Sequence, residues 1–255
     1  MKKATVLLTL CLLALFGWWA RGVRAQSPES AAAIQLANDL YQRGDYDSAE
    51  QLYQQQLDSG NVRSALYYNL GNAHYQQGEL GAAIASYRRA LLLNPRNADA
   101  QANLALARAA RQDQLPDVHD WMTTFADWHS RWTTNTVATV ALASWVLVGA
   151  AALLRRGVPE QRRWLNWVAV PLLALLLVSG FALGQRVTAH EQAVVIVPSV
   201  AVQGLPTESS VTQFELHDGA EVDLLEQRNG WVKIGLLGDE SQGWLPATAV
   251  ESLES

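Results

Sequence analysis

Residues 64–97 read SALYYNLGNAHYQQGELGAAIASYRRALLLNPRN, and the same pattern stands 34 residues earlier in the chain. Self-similarity at this period is typical of stacked helix pairs, because one pair is too small to bury its own apolar face. Such stacks present a concave surface to peptides and seldom carry catalytic groups. The first expectation is therefore a binding protein. The matching positions are Leu36 with Leu70, Tyr41 with Tyr75, Gly44 with Gly78, Ala49 with Ala83, and Tyr53 with Tyr87.

The later copy resembles the tetratricopeptide repeat family at its signature positions, which are Tyr67, Leu70, Gly71, Ala83, Tyr87, Ala90 and Pro95. Gly71 and Ala83 are small, which lets the two helices of a pair approach closely, and Pro95 ends the second helix. The earlier copy fits less well, with Ala37 in place of the small glycine. We predict a repeat domain at 26–115, with repeats at 30–63 and 64–97 and a single capping helix at 98–112.

In this family the first helix of each pair lines a groove that binds peptides, so the resemblance implies which side chains contact a partner. Asparagine suits this task because each carboxamide offers a donor and an acceptor. Ile34 and Asp99 stand where relatives that bind a terminal carboxylate have basic residues. We therefore expect an internal peptide segment or a folded partner as the ligand; the alternative is that Asn69 and Asn72 serve only the fold. The implied partner-binding residues are Asn38, Tyr41, Asn69, Asn72, Tyr75 and Asn103.

Three apolar stretches indicate export and membrane insertion. Residues 1–25 combine a basic start, an apolar run and a final VRA, which predicts a secretory signal peptide, with retention as an anchor as the alternative. Residues 133–154 and 164–184 each supply about twenty uncharged residues, enough to cross roughly 30 Å of hydrocarbon as a helix. The loop between them, 155–163, contains four arginines, and short Arg-rich loops stay in the cytoplasm. Both soluble parts are then expected on the outer face, as the export signal requires.

Residues 116–132 are rich in aromatic side chains. Trp121, Phe125, Trp128 and Trp132 are spaced to fall on one face of a helix, and amphipathic rings settle at the level of the lipid headgroups. We predict a juxtamembrane helix along the outer leaflet. The alternatives are an extension of the spanning helix and a face packed on the repeats. After the second span, residues 185–193 are predicted to be a linker.

Residues 194–255 change to short alternating strands between glycine-containing turns, which predicts a small β-barrel. Asn229 and Gly230 are predicted to form a tight hairpin turn. The segment resembles the bacterial SH3 family, which implies an adaptor module or a binder of cell-wall peptides in which the tryptophans are mostly structural. The resemblance rests on Gly219, Gly230, Trp231, Gly243, Trp244 and Pro246.

Composition argues against catalysis and against several classes of ligand. Cys11, the only cysteine, lies in the predicted signal, which leaves no thiol for disulfides, catalysis or metal binding in a mature chain. The five histidines show no zinc-ligand spacing, and no phosphate-binding glycine loop occurs. Residues 190–255 contain eleven acidic and two basic residues, which disfavours nucleic acid and favours basic partners or simple solubility. We expect no enzyme activity, no cofactor and no metal site.

The order of these parts resembles the BatE family of the bacterial aerotolerance operons. The expected fold class is a multidomain membrane protein with all-α tetratricopeptide repeats, a two-helix transmembrane hairpin and an all-β bacterial SH3-like barrel. The resemblance implies a non-enzymatic adaptor in the bacterial inner membrane, with both soluble modules in the periplasm. Its implied partners are von Willebrand factor A-type membrane proteins and a MoxR-type ATPase system. The alternative is an envelope protein whose SH3 module recognises peptidoglycan peptides.

Overall fold

A computed structural model describes residues 28–113, 125, 132–157, 162–188, 191–236 and 241–253 of the 255-residue chain. Its described N-terminal part consists of two helix pairs followed by one further helix, in the order that the repeat pattern predicts. The predicted signal peptide, 1–25, and most of the predicted aromatic helix, 116–132, lie outside the described residues. The helices are α1 (Pro28–Gln42), α2 (Tyr46–Asp58), α3 (Ser64–Gln77), α4 (Leu80–Leu93) and α5 (Ala98–Ala110).

Each helix pair turns at a glycine with a left-handed backbone. Gly44 has a φ of 82° and Gly78 a φ of 83°, a region that residues with a Cβ seldom adopt. The Gly78 N–H donates to the carbonyl oxygen of Tyr75 at 3.2 Å and so closes α3. In the first pair the next helix begins at once, because the Asp45 side chain accepts the N–H of Ser48 at 3.3 Å. The spacing of the two glycines therefore determines where each pair folds back.

The helices of the second pair approach most closely where Gly71 faces Tyr87. A Cβ on Gly71 would lie 2.7 Å from ring carbons of Tyr87, closer than packed atoms come. The ring cannot withdraw easily, because it is buried and its hydroxyl donates to Asn72 Oδ1 at 2.8 Å. The corresponding residue of the first pair, Ala37, is also buried. In the capping helix the corresponding Ala105 is exposed, since the described chain places no second helix against it.

Among the described residues, two helices are long and apolar enough to cross a membrane. They are α6 (Thr134–Gly157) and α7 (Arg162–Thr188), and they pack on each other as a hairpin. Ser144, Ser179 and Ala182 are buried in this region, so small side chains allow close helix packing. Because α6 continues to Gly157, it extends into the predicted loop at 155–163.

The C-terminal residues 191–253, the β-module, form an antiparallel sheet around a shared apolar core. In the described part of the module the strand order is β3-β2-β6-β5-β4-β1-β7. Val202, Val222, Ile234 and Leu245 fill its centre. This arrangement is consistent with the predicted small β-domain. The strands are β1 (Glu191–Val195), β2 (Ser199–Gln203), β3 (Thr212–His217), β4 (Glu221–Arg228), β5 (Trp231–Leu236), β6 (Gln242–Pro246) and β7 (Val250–Ser252).

Several residues that suggested the SH3 resemblance have a structural role in the sheet. Asn229 and Gly230 turn β4 into β5 with positive φ values of 50° and 81°, as the hairpin prediction requires. A Cβ on Gly243 would lie 2.4 Å from Val202 Cγ1, so β6 can pass β2 only with glycine there. Trp244 is buried. The half-buried Trp231 and Pro246 are partners across β5 and β6.

The linker predicted at 185–193 is shorter than expected, and the β-module starts before residue 194. Helix α7 continues to Thr188, and β1 begins at Glu191. Glu191 and Gln192 are polar, so the apolar alternation that marks a strand does not reveal them. Their backbones nevertheless pair with β4, opposite Leu224 and Asp223. The strand is therefore longer than predicted, because its first residues are held by backbone pairing that the side chains do not reveal.

Gly71→Ala should destabilise the second helix pair, because the added methyl group must displace the buried ring of Tyr87. Overpacking of this kind costs about 1–3 kcal/mol, so the midpoint of thermal unfolding followed by circular dichroism should fall by several degrees. Gly149→Ala is the matched control, since Gly149 also lies in a helix and a Cβ there meets nothing within 4 Å. An unchanged midpoint for Gly71→Ala would contradict the packing described above.

Candidate protein-interaction site

The helices α1, α2 and α3 enclose a groove, the repeat groove, with a volume of about 350 Å³. Its lining side chains are uncharged, so the groove offers hydrogen bonds and aromatic surface to a ligand rather than charge. Four of the six residues predicted to contact a partner are in this lining. The lining residues are Asn38, Tyr41, Gln42, Tyr53, Tyr68, Asn69 and Asn72.

A ladder of hydrogen bonds orders the groove wall. In the first repeat, Asn38 Oδ1 accepts the hydroxyl of Tyr53 at 2.7 Å and the Nδ2 group of Asn69 at 3.0 Å. The first bond joins the two helices of one repeat, and the second joins that repeat to the next. Burial raises the pKa of Tyr53 to about 12, so its hydroxyl stays protonated and donates.

The ladder repeats 34 residues later with the same chemistry. Asn72 Oδ1 accepts the hydroxyl of Tyr87 at 2.8 Å and the Nδ2 group of Asn103 at 2.8 Å. Burial raises the pKa of Tyr87 as well, which keeps it a donor. Asn38 and Asn72 therefore serve the fold through their oxygens and also form part of the groove surface. These bonds support the alternative in which Asn69 and Asn72 serve the fold, while contact of the asparagines with a partner stays a prediction.

The remaining predicted groove residues lie elsewhere. Asn103 reaches the groove wall through Asn72, whereas the half-buried Tyr75 packs against the apolar cluster of α4 and α5. The sequence prediction missed Gln42 and Tyr68, together with Tyr53 on the second helix. Gln42 follows Asn38 by four residues and Tyr68 precedes Asn72 by four, so each pair shares a helix face. The four-residue spacing from the asparagines therefore identifies Gln42 and Tyr68 as further candidates for the groove.

The β-module packs against α4 and α5, away from the helices that line the groove. Val194 of β1 and Leu253 share one buried cluster with Ile84 and Leu104 of the repeats. These contacts cover the apolar side of the last helix pair. The repeats and the β-module therefore share part of their core.

The turn before β4 contacts the first turn of α4. Asp218 Oδ1 accepts the Gly81 N–H at 2.9 Å, where helix N–H groups lack partners within the helix. Burial nevertheless raises the pKa of Asp218, because desolvation outweighs the hydrogen bonds. Gly219 has a φ of 86°, and a Cβ there would lie 3.1 Å from Ile84 Cδ1. This glycine, predicted as a feature of the barrel alone, also permits close contact with the repeats.

At this contact, Glu221 is surrounded by guanidinium groups from the repeat helices. Arg108 donates to both carboxylate oxygens at 2.7 Å, Arg111 donates at 3.1 Å, and a nitrogen of Arg88 lies 3.7 Å away. Glu221 is only 5% exposed. Burial alone would raise its pKa, yet the bonds from Arg108 and the charges of Arg88 and Arg111 hold the pKa of Glu221 below its usual value. The carboxylate therefore stays ionised within the contact.

Polar contacts extend around this ion cluster. Arg89 of α4 binds the Glu251 carboxylate and the backbone oxygen of Ser252 in β7. Asp113, just after α5, accepts the backbone N–H of His217 at 2.7 Å and lies 3.0 Å from its ring nitrogen. Helices and strands far apart in sequence thus form a continuous interface.

Two family comparisons agree with the helical part of this structure. Residues 71–111 match a family model described as "TPR repeat", and residues 32–61 match one described as "Tetratricopeptide repeat". No curated protein matches the chain. Tetratricopeptide repeats are therefore confirmed in the N-terminal part. They imply a scaffold for protein–protein interaction.

Glu221→Gln should loosen the docking of the β-module, because three arginines around a buried position lose their counter-ion. Removing one partner of a buried ion cluster costs about 3–5 kcal/mol. Hydrogen–deuterium exchange should therefore become faster in α4 and β1. Glu226→Gln is the matched control, since its ion pair with Arg228 at 2.8 Å is exposed and contributes less than about 1 kcal/mol. Equal exchange in the two variants would rule out the ion cluster as the element that holds the modules together.

Proposed function

We propose that this protein is a non-enzymatic adaptor of the bacterial inner membrane, of the kind that the BatE resemblance implies, which presents its repeat groove to protein partners in the periplasm. The proposal rests on the position of the groove relative to the β-module. Helices α1 to α3 line the groove, whereas the β-module occupies α4 and α5. The docked arrangement therefore leaves the groove accessible to a partner.

Membrane insertion is supported by the side chains that α6 and α7 expose. Trp145, Trp167 and Leu177 are 64%, 75% and 65% exposed. Apolar surface in water costs about 25 cal/mol per Å², and soluble proteins rarely leave contiguous patches of it uncovered. Lipid would remove this cost along both helices. A hairpin of two spans is therefore the arrangement that we propose.

The contact between the repeats and the β-module supports a single compartment for both. A two-span hairpin returns the chain to the face of the membrane from which it started, so the docked modules can stay in contact. The Arg-rich loop at 155–163 favours the cytoplasm for the turn. The predicted signal peptide agrees with export of the N-terminal part. These observations favour the periplasm for both modules.

The chemistry of the groove supports recognition of an uncharged, extended segment. The exposed Gln42 and the half-buried Tyr41 stand at the wall, where they offer a carboxamide and an aromatic face to a ligand. The oxygens of Asn38 and Asn72 already accept internal hydrogen bonds. These asparagines therefore contribute more to the shape of the wall than to hydrogen bonds with a ligand. We propose a von Willebrand factor A-type membrane protein as the partner, with a MoxR-type ATPase acting across the membrane.

Gln42→Trp should block partner binding, because an indole ring at this position fills the groove without removing a bond of the asparagine ladder. Co-purification of a von Willebrand factor A-type membrane protein from the same organism, co-expressed with the full chain, should fall at least tenfold. Gln55→Trp is the matched control, since it adds the same ring at an exposed position of α2 that is not part of the groove lining.

Equal retention by the two tryptophan variants would contradict partner binding in the groove. A parallel assay addresses the other class of function. If the full chain sediments with purified sacculi and Gln42→Trp leaves this unchanged, the β-module acts as a peptidoglycan binder and the adaptor proposal fails.

Cysteine labelling can test the proposed topology, because Cys11 is the only native cysteine. In a Cys11→Ser background, Gln55→Cys and Val211→Cys report on the repeats and the β-module; both positions are exposed. A membrane-impermeant maleimide added to intact spheroplasts should label both. Glu160→Cys in the loop should react only after lysis. Protection of position 55 or 211 in intact spheroplasts would contradict a periplasmic location for that module.

A further inference from the structure

A second group of polar side chains lies outside the repeat groove, where the two repeats meet. Glu50 belongs to α2, His74 lies in the last turn of α3, and Glu79 immediately precedes α4. One nitrogen or oxygen atom of each residue lies within 4.8 Å of the atoms from the other two. His74 Nδ1 is 2.7 Å from Glu79 Oε2 and 3.9 Å from Glu50 Oε2. The proposed partner recognition uses none of these residues.

We propose that Glu50, His74 and Glu79 bind one divalent transition-metal ion, and that Zn²⁺ fits the site best. Imidazole nitrogen and carboxylate oxygen are usual ligands of protein-bound zinc. Two carboxylates balance the charge of the ion, while the imidazole contributes a neutral donor. Three protein ligands leave one tetrahedral position for water or for a group from another molecule. Mg²⁺ and Ca²⁺ fit poorly, because they prefer more ligands and oxygen alone.

Two of the three separations between ligand atoms need only small changes to form the site. With metal–ligand bonds of about 2.0–2.2 Å, the ligand atoms of a tetrahedral site lie about 3.4 Å apart. The 2.7 Å separation of His74 from Glu79 must open, and the 3.9 Å separation from Glu50 must close. Each change is below ~1 Å at the metal–ligand distances just given. The ion takes the place of the hydrogen between His74 Nδ1 and Glu79, and the metal-bound imidazole, which is neutral, carries its single hydrogen on Nε2.

A neighbouring side chain orients one of the carboxylates. Gln77 Nε2 donates to Glu50 Oε2 at 2.8 Å, and bonds of this kind commonly hold metal ligands in position. The side chain of His74 is 14% exposed and that of Glu79 52% exposed. The nitrogen ligand is therefore largely shielded, while the Glu79 side lets an ion enter from solvent.

Metal binding would fasten the first repeat to the second. Glu50 comes from the first repeat, whereas His74 and Glu79 flank the turn of the second. Repeat arrays gain stability from contacts between neighbours, and the residues that the structure describes form only two helix pairs and one further helix of this array. The bound ion adds a contact of this kind without changing the lining of the groove.

Titration of Zn²⁺ into the full-length protein tests the site directly. The chain should be purified in detergent without a polyhistidine tag and treated with a chelator before calorimetry. We expect saturable binding of one equivalent, visible d–d absorption bands with Co²⁺, and little effect of Mg²⁺. At a hundredfold excess of Zn²⁺ over Kd, the thermal midpoint should rise by about 5 °C or more.

Single substitutions then identify the ligands. Glu50→Gln and Glu79→Gln keep the side-chain size, and each should weaken Zn²⁺ binding at least tenfold; His74→Ala should abolish the Co²⁺ bands. His217→Ala is the matched control, because His217 pairs with one carboxylate, Asp113, and belongs to no group of three among the residues that the structure describes. Failure of the unaltered chain to bind Zn²⁺ would overturn the proposal. So would equal Zn²⁺ affinity in the unaltered chain and both glutamine variants.

Discussion

The second helix pair has an apolar side that the C-terminal β-module covers, and the rest of the architecture depends on this contact. Val194 and Leu253 pack there beside Leu104 of the capping helix, while Glu221 draws arginines of α4 and α5 around one buried carboxylate. Stacks of this type usually need about three repeats to be stable. In the part of the chain that the structure describes, the β-module supplies such a neighbour for the last helix pair. Because it approaches from α4 and α5, the groove formed by α1 to α3 remains accessible.

The local features of the fold could be predicted from the sequence because each depends on a short segment. The 34-residue period located the helix pairs, and Asn229 with Gly230 located a hairpin. The docking contact could not be predicted in this way. Glu221 and Arg108 are 113 residues apart, and neither belongs to a recognisable motif. Composition gave partial evidence of the contact, because the acidic C-terminal segment predicted basic partners. Three arginines of the same chain are such partners for Glu221.

The repeat groove was predicted in part, and the differences have a physical cause. Asn38 and Asn72 were identified from their places in the repeat, but a sequence does not show that their oxygens also hold tyrosine hydroxyls. Tyr75 repeats Tyr41 in sequence, yet it packs toward α4 and α5 because the environment of the second repeat differs from that of the first. A repeated pattern places residues on equivalent helix faces. The residues that cover each helix face depend on which helices or strands pack beside that repeat.

The two membrane-length helices interrupt, along the chain, a unit that is continuous in space. The last helix pair ends at Leu93, and the strands that complete its core begin only at Glu191. During synthesis the ribosome has therefore made the repeats long before it makes the residues that cover them. Their apolar side stays uncovered until both intervening helices and the C-terminal strands have been synthesised. A chain released early would carry exposed surface of the kind that chaperones and proteases recognise.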